Sequence, residues 1–235
     1  MEHNGHSISN QLKGLLVKEC CVCGAPLFLS YVVDGYGNMA CVSHRDEIIY
    51  CSSCQRMCGK DSISIGAGRR VCANCHDNLP DESSCKRIEA YVRKVLLDNG
   101  LSIPAFKLER VSAERFVSLG HPNASGLASK VGNKYVVYVL CELINTALAE
   151  VLAHEMTHIW QWENSVSVRT EINEGFCNLA SFIVLKGIDT DMAKIKVRNL
   201  ELNPDSIYGV GFRKVKEYYD RNGMDMTIKK METRR

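Results

Sequence analysis

Apolar positions set the frame of the chain before any composition is counted. Between Asn145 and Trp162 they fall at Leu148, Val151, Leu152, Met156 and Ile159, a helical repeat uninterrupted by Gly or Pro. Asn145 or Thr146 is placed to cap its start. A second amphipathic helix is predicted from Thr170 to Leu185, and a third from Cys85 to Leu97, where Ile88, Tyr91, Val92, Val95 and Leu96 share a face and Asn99 and Gly100 end the run. Lys134 to Leu140 is β-branched and aromatic and predicts a strand. Ala105 to Val111 and Arg115 to Leu119 read as two more, with a loop from Gly120 to Gly126. Residues 187–204 read as a connection with some helical content, and Ser206 to Tyr219 as a glycine-broken turn that continues as a helix.

The first third of the chain is patterned differently. Short strand-forming runs at Phe28 to Val33 and Ser62 to Ile65 are each followed by a glycine-bearing turn, which predicts small hairpins rather than a conventional core. Residues 1–18 form a polar tail with an apolar patch from Leu12 to Val17. The expected organisation is a tail over 1–18, a small module over 19–80 and a larger domain over 81–235, of α+β class.

Cysteine spacing gives the small module its chemistry. Cys20 and Cys23 are followed after seventeen residues by Cys41 and His44. Cys51 and Cys54 are followed after seventeen residues by Cys72 and Cys75. Two such knuckles joined by a hairpin supply four ligands to one tetrahedral zinc, so two structural zinc sites are expected. About 60 residues cannot bury much apolar surface, and metal would hold such a module folded. Cys21, Cys58, Cys85, Cys141 and Cys177 fall outside the pattern, and Cys177 reads as a small buried residue.

The larger domain carries a different site. His154 and His158 are four apart on a helix and lie one above the other, so both imidazoles can reach one metal ion. Glu155 is rotated about 100° from His154 and can take a proton from water at that metal. A zinc hydrolase needs a third ligand and an open position besides. Glu174, on the next helix, is the expected third ligand, with Glu171 one turn earlier as the alternative. Asn178, one turn after Glu174, is placed to accept from the outer N–H of a ligating histidine. Tyr208 is a candidate donor to a developing oxyanion, although a phenol packed at a turn is the commoner case. Val136 and Tyr138 are candidates for an edge strand that pairs with an extended substrate, with a buried central strand as the equal alternative.

Composition narrows the class. The chain has 235 residues, net charge +2 and 46% hydrophobic residues. That balance gives no electrostatic case for nucleic acid or an anionic membrane. No apolar run reaches membrane-spanning length and the N-terminus has no secretory pattern, so a soluble cytoplasmic protein is expected. Twelve cysteines there argue for metal ligation rather than disulfides.

The paired His154-Glu155-x-x-His158 and Asn173-Glu174-x-x-x-Asn178 elements resemble the gluzincin metallopeptidases. The wider order, Cys41 to His44, Cys51 to Met57, Gly68 to Cys75, His154 to Trp160, Glu174 to Cys177 and Tyr208 to Arg213, is similar to the plant LIM-domain peptidases that limit organ size. Those are zinc peptidases activated by ubiquitin. The resemblance, over about residues 20–220, implies a LIM-like double zinc module ahead of a gluzincin-like metallopeptidase domain. It implies zinc on His154, His158 and Glu174, Glu155 as base, protein or peptide substrates, and ubiquitin or a regulatory protein as a partner of the zinc module. The chain departs by lacking ubiquitin-interacting helices and by having six residues, rather than two, between its zinc sites. The rival expectation is a latent or inactive peptidase fold that acts as a zinc-stapled protein-binding adaptor.

Overall fold

A computed structural model describes residues 18–232, so the N-terminal patch from Leu12 to Val17 and most of the expected tail lie outside the described residues. The architecture is α+β, with the cysteine-rich units ahead of a helical bundle. The first unit holds the antiparallel hairpin β1 (Tyr31–Val33) and β2 (Met39–Cys41), then a 3₁₀ turn over Val42–Glu47. Asp34 organises the hairpin turn by accepting from the backbone N–H groups of Tyr36, Asn38 and Met57. The second unit repeats the plan with β3 (Ile63–Ser64), β4 (Arg70–Val71) and the short helix α1 (Ala73–Asp77).

Helix α2 (Glu82–Asp98) starts where Asp81 accepts from the Ser84 N–H. A three-stranded sheet follows in the order β5-β7-β6, built from β5 (Phe106–Val111), β6 (Gly126–Val131) and β7 (Lys134–Leu140). Strand β7 pairs parallel with β5 and antiparallel with β6. Val136 and Tyr138 therefore sit on the central strand, buried, with β5 on one side and β6 on the other. Their candidacy as an edge is corrected, and the edge beside the helix that carries His154 is β6. Its predictive signal is Gly132-Asn133, a two-residue hairpin connection in which Gly132 takes φ 60°.

Residues 115–119 are also corrected. They belong to helix α3 (Ala113–Ser118), whose N-cap Ser112 accepts from the Arg115 N–H and which buries Ala113 and Phe116 at helical spacing. Helices α4 (Asn145–Glu163) and α5 (Thr170–Lys186) pack against each other, and α5 packs in turn on α6 (Asp191–Leu202) and α7 (Tyr208–Glu232), which is broken by a kink at Gly223 (φ 76°). The expected glycine-broken turn is instead the first turn of α7. Gly209 and Gly211 lie inside the helix, where they permit close approach.

The buried cores do not divide at residue 80. Cys51, Cys54, Val71, Cys72 and Cys75 belong to one continuous cluster that runs through α2, the sheet and helices α4 to α7. A separate small cluster joins Cys20 and Ala40 of the first unit to Met57 of the second. No helix of the described residues is long and apolar enough to cross a membrane.

Candidate metal centre

Both cysteine clusters assemble as their spacing predicts. Cys20, Cys23, Cys41 and His44 gather their ligand atoms within 4.8 Å of one another, and so do Cys51, Cys54, Cys72 and Cys75. A repeated backbone detail underlies the match. The Cys41 N–H donates to Cys20 Sγ at 3.3 Å, and the Cys72 N–H donates to Cys51 Sγ at 3.3 Å. Burial pushes the Cys20 thiol up, but the N–H groups of Cys23, Cys41 and Val22 outweigh it and bring it down to about 6. The neighbouring Cys54 and Cys75 thiols, hydrogen-bonded to Cys51, hold that thiol well below its ordinary value. In each set one thiol is favoured as thiolate while neighbouring thiols, Cys41 in the first and Cys54 and Cys75 in the second, are pushed up; four such ligand atoms gathered together are compatible with zinc.

The third centre lies between α4 and α5. His154 Nε2 is 3.2 Å from His158 Nε2, and Glu174 Oε2 is 3.1 Å from the first and 3.6 Å from the second. Three ligand atoms thus converge from two helices. Glu171 is turned away, with its carboxylate paired to Arg169 at 3.1 Å. The Glu174 carboxyl is pushed up by burial, yet its hydrogen bonds to His154 and His158 prevail and hold it at about 2.

Cys177 also falls within 4.8 Å of ligand atoms of both histidines. Its sulfur, however, lies 3.4 Å from His158 Nδ1, the nitrogen opposite the converging Nε2. Burial pushes this thiol above its ordinary value. Glu174, which meets both Nε2 atoms, is therefore the better third ligand, and Cys177 lines the back of His158.

The outer nitrogens are held as well. Asn178 Oδ1 lies 3.0 Å from His154 Nδ1, while the Asn178 amide donates to the Tyr208 carbonyl at 2.9 Å. Gln161 Oε1 lies 3.0 Å from His158 Nδ1, and its amide donates to the Asn173 carbonyl. Orientation of each imidazole from behind fixes which nitrogen is free to bind metal. Gln161 was legible in principle, since it stands three positions after His158 on the same helix face.

Glu155 is buried and faces the same cleft. Its Oε2 accepts from the Ala128 N–H of β6 at 2.7 Å. Gly126 makes this approach possible, because a Cβ there would sit 2.7 Å from Glu155 Oε1. Tyr208 is half-exposed, with its ring centroid 6.5 Å from that of His154. Burial and the nearby Glu174 carboxylate raise its phenol above its ordinary value, which keeps it a proton donor at neutral pH.

His154, Glu155, Asn178 and Tyr208 line a cleft of about 670 Å³, while His158 and Glu174 lie outside its lining. One wall is the metal helix, with Glu150, Val151, His154 and Glu155. Ser52, Ser53 and Gln55 of the second cysteine unit and the 120–126 loop also line the cleft. Val136 and Tyr138 do not line it. No protein-family model, no curated protein and no solved structure matches the chain.

Proposed function

We propose that the protein is a zinc-dependent endopeptidase that hydrolyses peptide bonds in protein substrates. The observation that carries this reading is the convergence of His154 Nε2, His158 Nε2 and Glu174 Oε2 within 3.6 Å, beside the buried carboxylate of Glu155. His154, His158 and Glu174 would hold the zinc, which when bound would supply Lewis acidity to a water and to the scissile carbonyl.

The chain's own residues do the rest. Glu155 takes the proton of the attacking water and delivers it to the leaving amine. Tyr208 donates its phenolic proton as a hydrogen bond to the oxygen on which charge develops. Asn178 and Gln161 keep the two imidazoles in register. An extended peptide would add to the outer edge of β6, whose Ala128 N–H points away from β7 and is engaged by Glu155. The two cysteine clusters hold structural zinc, and the zinc module is the proposed docking place for ubiquitin or another regulatory protein.

The Glu155–Ala128 hydrogen bond favours a second reading, latency. In this state the proposed base is tied to the strand that would receive substrate, and a peptide carbonyl that claims the Ala128 N–H would release it.

Incubation with unfolded casein, with and without a chelator, tests the reading. Chelator-sensitive cleavage, with about three zincs per chain, is expected. Retention of casein without any cleavage would leave the adaptor alternative standing.

A further inference from the structure

The second cysteine unit lines the cleft with Ser52, Ser53 and Gln55, and two of its side chains, Arg69 and Ser53, reach the larger domain. Arg69 leaves the turn between β3 and β4 and reaches across to the larger domain. Its Nη1 donates to the Ala124 carbonyl at 2.6 Å and its Nη2 to Ser125 Oγ at 3.0 Å. Its Nε donates to Ser52 Oγ at 3.2 Å, inside the knuckle itself. All three nitrogens of the guanidinium are used; burial pulls its pKa below the ordinary value, and the Glu142 carboxylate offsets part of that.

What Arg69 grips decides its consequence. Ala124 and Ser125 immediately precede Gly126, the first residue of β6. Gly126 packs on Val151 and Glu155, and Ala128 donates to Glu155. A clamp on residues 124 and 125 therefore sets where β6 meets the metal helix. A second tie runs parallel to it, since Ser53 Oγ accepts from the Ile144 N–H at 2.9 Å, at the residue that opens α4. The knuckle thus grips the start of β6 with one arm and the start of the metal helix with the other, and Ser52, Ser53 and Gln55 face the space between them.

We propose that the second cysteine unit forms one wall of the peptide-binding cleft, and that Arg69 is the positioning residue that holds the edge strand β6 opposite Glu155. This rests on the peptidase reading. The zinc-binding unit is then part of the substrate site rather than a separate appendage. A long peptide, which must pair along β6, depends on the clamp. A very short one, held at the metal centre alone, does not.

The test uses the full-length, zinc-loaded chain and its Arg69→Ala variant. Fluorescein-labelled casein binding is measured in a Glu155→Gln background, and hydrogen exchange is followed over residues 124–129. Loss of the clamp is expected to weaken casein binding roughly ten-fold and to speed exchange in that segment, with zinc content unchanged. In the otherwise native enzyme, KM for casein should rise while kcat on a blocked dipeptide stays within about two-fold. A general loss of stability would lower both together. If Arg69→Ala fails to fold, the pair Ser52→Ala and Ser125→Ala removes two arms of the fork and should move the same readouts in the same direction.

Unchanged casein binding and exchange in these variants, alongside normal cleavage by the parent, would overturn the positioning role and leave the peptidase reading intact. A parent that neither binds nor cleaves casein would remove both.

Discussion

The carboxylate of Glu155 accepts the backbone N–H of Ala128 at 2.7 Å, so the proposed base and the edge strand are joined directly. Two functions of one side chain can therefore be separated by substitution. Glu155→Gln keeps an acceptor for the Ala128 N–H and cannot take a proton. It should retain zinc and a normally protected β6 while cleavage falls by about 10²–10⁴-fold. Glu155→Ala should lose both, with amide exchange at Ala128 accelerated. Equal cleavage by Glu155→Gln and the parent protein would remove the mechanism.

Close approach of α5 and α7 supplies the next prediction. A Cβ on Gly175 would press into the Gly211 backbone, and a Cβ on Gly211 would press into the Glu171 carbonyl. This contact fixes the start of α7, and with it Tyr208, against the helix that carries Glu174. Gly175→Ala or Gly211→Ala should cost about 3 kcal/mol of stability, read as a lowered Tm. Cleavage should fall further than stability alone explains, because Tyr208 moves from His154. A Tm equal to the parent's would show that the helices part without cost.

Much of the site was legible because its ligands obey local periodicities. Four-residue spacing on a helix brings His154 over His158, and the two-residue gaps in the cysteine units form compact turns whatever the rest of the chain does. Strand β7 was equally plain in position, though not in its place in the sheet. Edge or centre depends on whether β6 pairs beside it, and in β6 the apolar Leu127, Ala128 and Val131 are interrupted by Ser129 and Lys130 and do not alternate. Helix α3 was missed because Phe116 and Val117 mimic a strand over so short a run, whereas the Ser112 cap decides the case. Arg69 was out of reach altogether, since its partners lie 55 and 56 residues away.

Asn178 joins two elements at once, the outer nitrogen of His154 and the Tyr208 carbonyl. Asn178→Ala should weaken metal binding at the His154 site by roughly 10–100-fold and leave the two cysteine sites loaded. Competition with a graded chelator, followed by metal analysis, separates the sites by affinity. Simultaneous release of all three metals at one chelator concentration would argue against an orienting role.

The two cysteine clusters should differ in what their loss costs, because they are buried differently. Cys23 is exposed, and its unit packs in a small cluster apart from the main core, with Ala40 against Met57. Cys54 is buried in the cluster that continues into α4 and the sheet. Tyr36 donates its hydroxyl to the Cys54 carbonyl at 2.7 Å, so the first unit leans on the second. Cys23→Ser should therefore release one metal and loosen residues 19–50, with a small change in the main unfolding transition. Cys54→Ser should strip metal from within the common core and lower the main Tm sharply, since the binding free energy of a structural zinc is folding free energy on the order of 10 kcal/mol. Calorimetry on the two variants distinguishes them. Matching drops in the main transition would mean that the first unit is as deeply built into the fold as the second.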